Sequence, residues 1–410
     1  MKNLIKLLLN LIFSLFFFLP AYFAALIFRR KKNSGIKVLW GPTPLKNIHY
    51  NSAALNLRGI ESHTLVEGLY RNNSRTDFDF YTDKFKSNFL NCVFSKYLSF
   101  FKILKNYDIL ITNFDGGFLR GTPLRFYEHI FWKAGRKSVI VWPYGSDSFV
   151  YSKMKDFSFR NGLIKSYPVA SKNDNRTRKQ IDYLTRKTDF IVGNIPHNES
   201  CPKWDILTIA CYGIDTEEWK PHGDYSYLKS DDEPIVVLHC PNHRDVKGTN
   251  FLIEACSGLK NEGYKIELQI LEHIPYDELM RNLQKCDIVA SQFLYGYATN
   301  EIEGMSLAKP VLSNLESDYF YKAARRYTHF TDCPILSTSP ENLKENLIKL
   351  IKNPELRKQL GKQGRDYVLK YHSLEAQGLM WTKIINKIRN KSDENLDDWW
   401  KERKNIEVQI

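Results

Sequence analysis

No two cysteines in this sequence stand in a C-x-x-C arrangement. The seven that occur, Cys92, Cys201, Cys211, Cys240, Cys256, Cys286 and Cys333, are scattered and odd in number. That spacing argues against a zinc site and against a disulfide framework. Scattered cysteines in a chain of 410 residues read as small apolar residues of a reducing compartment. The histidines, His49, His129, His239 and His243 among them, show no metal-ligand spacing. Also lacking are an arginine-rich arm, an RNA-binding signature, a short internal repeat and a low-complexity segment. The formal net charge is nevertheless +13. An anionic partner is therefore expected, and a membrane face or a phosphorylated substrate ranks ahead of nucleic acid. "DFD", Asp77 to Asp79, has the form of a D-x-D metal motif, but it lies in a polar stretch with no phosphate loop beside it. No metal is expected there.

What is present begins with "LLLNLIFSLFFFLPAYFAALIF", Leu7 to Phe28, an apolar run long enough to span a bilayer. "RRKK", Arg29 to Lys32, follows at once. A signal peptide would have a shorter apolar core and a cleavage site. Lys2 and Lys6 before the run, against four basic residues after it, orient the main body to the cytoplasm. Pro20 leaves a second form open, a re-entrant or interfacial hairpin. The expectation is attachment to the cell membrane with the main body cytoplasmic.

Beyond the basic cluster, short continuous apolar runs alternate with helical segments: "IKVLW", then "SAALNLRGIESHTLVE" with a helix, a glycine stop at Gly59 and a further strand, then "YDILITNF", "KSVIVW", "TDFIVGN" and "DILTIA". The pattern restarts after the polar stretch 222–234 with "IVVLHCPN", "IELQILE", "DIVASQ" and "PVLSN". This is the signature of parallel α/β sheets. The expected fold class is α/β, with two doubly wound Rossmann-like domains facing a cleft and preceded by the apolar segment. The expected organisation is a membrane anchor with basic flank (1–32), an acceptor-side domain (33–222), a linker (223–234), a donor domain (235–375), and a helix crossing back to the first domain with a polar tail (376–410). Ligands of such sheets bind beyond the carboxyl ends of the strands. The loops after Trp40, Phe114, Tyr144, His239 and Gln292 are the functional ones on that rule.

The most informative stretch is "YGYATNEIEGMSLAKPVLSN", residues 295–314. A glycine-bearing loop turns into a helix that carries Glu301 and Glu303. A loop with Gly296 and small residues before a helix exposes backbone N–H groups that suit phosphate oxygens. Glu303 near the helix start suits a sugar diol, and equally serves as a favourable helix-start charge. Glu301 lies two residues earlier, and in a helix the two side chains point about 200° apart.

"EGMSLAKPVLSN" resembles the E-A-M-A-x-G-K-P-V block of the family 4 glycosyltransferases, retaining enzymes of the GT-B fold. "YGIDTEEWKP" (212–221), "HCPNHRDVKGTNFLIEA" (239–255), "CDIVASQ" and "NPELRKQLGKQGRDYVLKYHS" (353–373) are similar to further blocks of that family, in the same order. The resemblance implies that Glu303 holds the nucleotide ribose. It implies that Lys247 and Arg244 are the cations at the leaving diphosphate, with Gly296 to Thr299 around the diphosphate and sugar. The first glutamate of the family's E-x7-E motif falls on Tyr295, so the motif is broken here. On the acceptor side the corresponding loops carry Gly41, Asn113, Asp115 and Asp147. Asp115 reads as a general base or as an Asx-turn residue. Asp147 reads as an acceptor ligand or as a helix cap.

The resulting expectation is a metal-independent glycosyltransferase. It moves a sugar from a nucleoside-diphosphate sugar to a hydroxyl of a saccharide or lipid-linked acceptor, with retention, in bacterial surface-polysaccharide synthesis. No cofactor is expected. Two alternatives stand: a non-catalytic nucleotide-sugar-binding scaffold, and a GT-B-fold nucleotide-sugar epimerase.

Overall fold

The computed structural model describes residues 2–30, 35–70, 73–82, 89–195, 197–209, 212–222, 233–390, 392–393 and 395–407. Most of the expected linker (223–232), Cys211, and Lys31 and Lys32 of the basic cluster lie outside the described residues. The chain divides into two compact units. Unit 1 comprises residues 1–150, 175–206 and 381–394; unit 2 comprises 151–174, 207–380 and 395–410.

Unit 1 is built on a sheet of seven strands: β1 (Lys37–Trp40), β2 (Glu61–Val66), β3 (Phe80–Tyr81), β4 (Ile109–Thr112), β5 (Ser138–Val141), β6 (Phe190–Asn194) and β7 (Ile206–Thr208). Their order is β3-β2-β1-β4-β5-β6-β7. The central pairings are parallel, with Val38 opposite Ile109 and Ile111 opposite Ile140. All four residues of β4 and all five of β6 are buried. Strands covered on both faces need apolar residues at every position, which is why these runs do not alternate. Unit 2 carries β8 (Ile235–His239), β9 (Ile266–Ile270), β10 (Ile288–Ala290), β11 (Val311–Ser313) and β12 (Leu336–Ser337), in the order β12-β11-β10-β8-β9 and parallel throughout. Both orders reverse once, between β1 and β4 in unit 1 and between β8 and β10 in unit 2. A crevice opens at such a reversal, because the connections leave it to opposite faces.

One aspartate recurs at the head of these strands. Asp108 before β4 accepts from the N–H of Lys37 at 3.3 Å, and Asp189 before β6 from Val139 at 2.7 Å. Asp205 before β7 accepts from Ile191 at 2.8 Å, and Asp287 before β10 from Val236 at 2.7 Å. Each carboxylate satisfies an amide at the first or second residue of a neighbouring strand.

The N-terminal apolar run forms one helix, Lys2–Ile27, with Pro20 inside it. It lies against unit 1 through Ser14, Phe17, Ala21, Ala24 and Ala25, all buried. Ser14 Oγ is hydrogen-bonded to Tyr97 at 2.6 Å, and the Phe17 ring meets Tyr97 at 4.2 Å between centroids. Among the described residues no helix is long and apolar enough to cross a membrane, so the bilayer-spanning form of the anchor finds no support. The "DFD" aspartates are structural: Asp79 accepts from the N–H and hydroxyl of Thr64, and Asp77 pairs with Lys46 at 2.6 Å.

Candidate active site

In unit 2 the reversal point is occupied by a chain of polar side chains. Lys247 ends the short helix Arg244–Lys247 after β8, and Gln292 stands two residues beyond β10. Lys247 Nζ donates to Gln292 Oε1 at 2.6 Å, and Gln292 Nε2 donates to Glu301 Oε1 at 2.8 Å. Glu301 sits in the first turn of the helix Thr299–Ser306 and is fully buried. It also accepts from Ser313 Oγ at 2.8 Å and from the N–H groups of Tyr297 at 3.3 Å and Ala298 at 3.0 Å. Burial works to raise the Glu301 pKa. The Lys247 ammonium and the hydrogen bonds from Gln292 and Ser313 outweigh it and leave the carboxyl below its ordinary range. Lys247 is shifted down by loss of solvent, with Glu301 opposing the shift. The two charges hold each other in place through the amide between them.

Glu303 points to another side of the same helix, as its spacing from Glu301 requires. It is 3% exposed, and its Oε1 accepts from the Tyr276 hydroxyl at 3.0 Å. Loop 295–298 has little freedom. A Cβ at Gly296 would sit 2.2 Å from Ser313 Oγ and within 3 Å of the Asn314 backbone, so only glycine fits. The Gly296 N–H donates to the Tyr321 hydroxyl at 3.1 Å. Tyr297 adopts φ 99°, a strained backbone region for a side-chain-bearing residue. A buried network holds it there: its hydroxyl bonds to His372 Nε2, whose Nδ1 bonds to the Tyr212 carbonyl at 3.0 Å. Burial pushes the His372 pKa down to about 4, so the ring is neutral and can accept from Tyr297.

The expected donor-side residues thus separate into two groups. Lys247 and Glu303 stand on the elements that bound the β8/β10 crevice. The N–H groups of Gly296, Tyr297 and Ala298 are directed to partners within the protein, and Thr299 opens the helix behind them. Arg244 is exposed at the surface, where Glu272 holds it bidentately at 2.6 and 3.0 Å. Tyr295, at the broken motif position, is 8% exposed and lies 4.1 Å from the Phe159 ring. It is a packing residue. Sequence reasoning missed Gln292, Tyr276 and the role of Glu301. Glu301 stands three residues after the helix-capping position Ala298, the spacing at which a glutamate reaches back to the cap N–H, and that signal was available.

In unit 1 the loops after β1 and β4 also meet at the reversal point. Gly41 has φ 144°, and a Cβ there would overlap the Leu65 carbonyl oxygen at 1.9 Å. Two residues on, the Thr43 hydroxyl donates to Asp115 at 3.0 Å. Arg120 binds Asp115 at 2.6 Å, Thr43 at 2.7 Å and Glu67 at 3.0 Å. Burial leaves the Asp115 pKa above its ordinary value, with Arg120 and Thr43 offsetting only part of the rise. Its side chain keeps 28% exposure, so one edge faces solvent. Asn113 donates to the Trp142 carbonyl at 3.0 Å, tying the end of β4 to the end of β5. Asp147 is buried and accepts from three amides: Phe114 at 2.9 Å, Gly145 at 2.9 Å and Tyr144 at 3.1 Å. Burial and then the nearby Asp115 push its pKa up to about 8, against those three donors. Asn113 and Asp147 therefore shape the loops, while Asp115 presents a carboxylate. A carboxylate that the sequence did not single out, Glu128, is buried and accepts from the amides of Phe118 and Leu119 at 2.8 and 3.2 Å.

No protein-family model matches the chain. An uncharacterized glycosyltransferase of Methanocaldococcus jannaschii is 26% identical over 249 residues, which cover 55% of this chain and 65% of that protein. The chain therefore spans just under two thirds of that relative's length. Sucrose-phosphate synthase from Thermosynechococcus elongatus superposes with a TM-score of 0.56 at 13% identity, over 88% of this chain and all of that one. The Anabaena protein HepE, solved with UDP-glucose, gives 0.54 at 12% identity over 86% of this chain and all of its own. A glycosyltransferase from Rickettsia africae gives 0.53 at 14% identity over 88% of this chain and all of its own. The chain has the α/β fold with parallel sheets of the GT-B glycosyltransferases.

Proposed function

We propose that the protein is a glycosyltransferase that takes a nucleoside-diphosphate sugar at unit 2 and passes the sugar to an acceptor hydroxyl at unit 1. The observation that carries this reading is the chain Lys247–Gln292–Glu301 at the β8/β10 reversal, with Glu303 on the same helix. A fixed ammonium at that point stabilises the negative charge that grows on a departing diphosphate. Glu303 accepts from the ribose hydroxyls, with Tyr276 orienting it. Thr299 adds the helix N-terminus, and Gly296 keeps the loop close to β11. Arg244 joins the diphosphate by exchanging Glu272 for phosphate oxygens.

In the reaction the bond between the anomeric carbon and the diphosphate oxygen breaks, and the diphosphate leaves with the electron pair. The acceptor oxygen bonds to the anomeric carbon. Its proton passes to Asp115 or to the leaving phosphate. Retention, in the manner of family 4 glycosyltransferases, metal independence and a saccharide or lipid-linked acceptor belong to the same proposal. So does a role in bacterial surface-polysaccharide synthesis at the cytoplasmic face of the cell membrane. The M. jannaschii relative, named as a glycosyltransferase, and the UDP-glucose in HepE support the donor class. One observation favours a second reading, a nucleotide-sugar-binding scaffold without transfer: Tyr295 replaces the first motif carboxylate, and three loop amides are engaged internally.

The first experiment is thermal stabilisation by a panel of UDP-, GDP-, ADP- and CMP-sugars. Native-state binding raises the melting temperature by mass action, roughly 2.7 kcal/mol at a hundredfold excess over Kd. One nucleotide is expected to stabilise the wild type and not Glu303→Ala. Sugar released or transferred from that donor then separates the enzyme from the scaffold. No stabilisation by any of the four would reject a donor site at Glu303.

A further inference from the structure

The helix Lys2–Ile27 buries one face against unit 1 and leaves the opposite face without cover. Ile12, Leu15, Phe16, Leu19, Phe23 and Ile27 recur at spacings of three and four, and their exposure runs from 48% to 76%. Such a stripe is out of place on a helix surrounded by water. The apolar surface continues onto unit 1, where Tyr127 is 50% exposed and meets the Phe18 ring edge-on. Near the end of the same helix lies a cavity of about 750 Å³, lined in part by Tyr22 and Leu26. Its charged lining is Arg29, Lys133, Lys137, Arg186 and Lys187 against a single carboxylate, Asp189. Asp108 pairs with Lys137 at 3.5 Å, and Asp189 is bound to the Val139 amide, so the cavity stays positive overall. Lys137 immediately precedes β5 and Asp189 immediately precedes β6. The cavity is thus at the amino ends of the strands, the opposite end from the loops of the proposed reaction.

We propose that this apolar stripe and the basic cavity beside it form a docking surface for an anionic lipid bilayer, with the helix lying in the plane of the interface. The stripe enters the boundary between headgroups and acyl chains, as amphipathic interfacial helices do. The cavity receives a phosphate-bearing headgroup, and Tyr127 sits at the headgroup level where aromatic residues are favoured. Crossing the bilayer would need about 20 apolar residues clear of the protein. Here Ser14 to Ala25 are committed to unit 1 on one face. The inference extends the membrane part of the proposed function and is independent of the donor site.

The test uses the full-length protein and flotation with vesicles of phosphatidylcholine, with and without phosphatidylglycerol, so no sugar transfer is needed. Association with the phosphatidylglycerol vesicles is expected, falling at least tenfold when salt is raised to screen the cavity. Leu15→Glu combined with Phe16→Glu should lower it at least tenfold at an unchanged melting temperature, since both side chains face outward. Phe23→Ser is the milder second variant, with a smaller loss in the same direction. Lys133→Glu with Arg186→Glu should abolish the preference for the anionic vesicles. Alkaline carbonate should release the protein from cell membranes. No binding to anionic vesicles, binding unchanged by the stripe variants, or retention after carbonate would overturn the proposal. A lipid-free dimer that the stripe variants dissociate would overturn it too, by assigning the face to a second copy of the chain.

Discussion

At the residue scale, two glutamates two positions apart do different work. Glu301 is tied by four hydrogen-bond donors and balances Lys247, so it is part of the scaffold of the loop. Glu301→Gln keeps the shape but places an amide against donors and leaves Lys247 without a counter-charge. A loss of about 2–4 kcal/mol is expected in chemical denaturation, with the loop network as its cause. The Tyr276 hydroxyl donates to Glu303, and an amide oxygen can replace the carboxylate oxygen in that bond. Glu303→Gln should therefore stay within about 1 kcal/mol of the wild type while it weakens donor-induced stabilisation. Equal destabilisation by the two variants would remove the distinction between them. Tyr295 is informative in the other direction. Restoring the motif carboxylate with Tyr295→Glu would bury a charge beside Phe159 and Phe320. It should cost at least about 2 kcal/mol and add no activity. A variant that folds normally and turns over faster would show that position 295 faces the reaction after all.

At the element scale, the strands were legible because parallel strands buried on both faces must be apolar throughout. "ILIT" at β4 and "IVV" in β8 could be read as strands from composition alone. The punctuation was legible too, although its meaning was not. "YDIL", "TDFI", "WDIL" and "CDIV" each place an aspartate just ahead of an apolar run. In the structure each of these carboxylates closes the open amide of an adjacent strand. Asp287→Ala should expose that deficit in unit 2, with a loss of about 1–3 kcal/mol by denaturant titration. A change below about 0.5 kcal/mol would mean that water satisfies the Val236 amide instead. Two strands escaped the sequence reading, β3 and β12, because two residues at a sheet edge carry no periodicity. The donor loop was read as a set of amides open to phosphate. Side chains distant in sequence, Tyr321 and Ser313 among them, decide where such amides and their carboxylate point, and no local pattern records that. The N-terminal run was read from its apolarity. That the protein itself covers one of its faces depends on Tyr97 and Phe131, which lie far along the chain.

At the scale of the whole molecule, the buried titratable groups set a pH window for stability. Burial lowers His372 and His239 to about 4 and His197 to about 3. A folded pKa below the unfolded value means that the unfolded chain binds the extra proton. The stability these rings contribute is therefore present above about 6.5 and is lost as pH falls from there toward 4. Burial raises Glu128 to about 7 and, with Asp115, raises Asp147 to about 8. Here the folded state binds the proton. The contribution is complete below the ordinary carboxyl range and is lost as pH rises through 7 and 8. The two effects oppose each other below 6.5, where the histidines and the carboxylates titrate together. Between 6.5 and 8 the carboxylates act alone, so the melting temperature should decline across that interval and level off above it. Over its full range the shift amounts to roughly 3 kcal/mol for Glu128 and roughly 6 kcal/mol for Asp147. Glu128→Gln keeps an acceptor for one of the two amides and removes the titration. The variant should be less stable at pH 6 and should show a shallower decline between pH 6.5 and 7.5 than the wild type. A wild-type melting temperature that stays flat or rises from 6.5 to 8 would show that both carboxyls are already ionised in the folded protein. The three amides on Asp147 and the two on Glu128 would then outweigh burial.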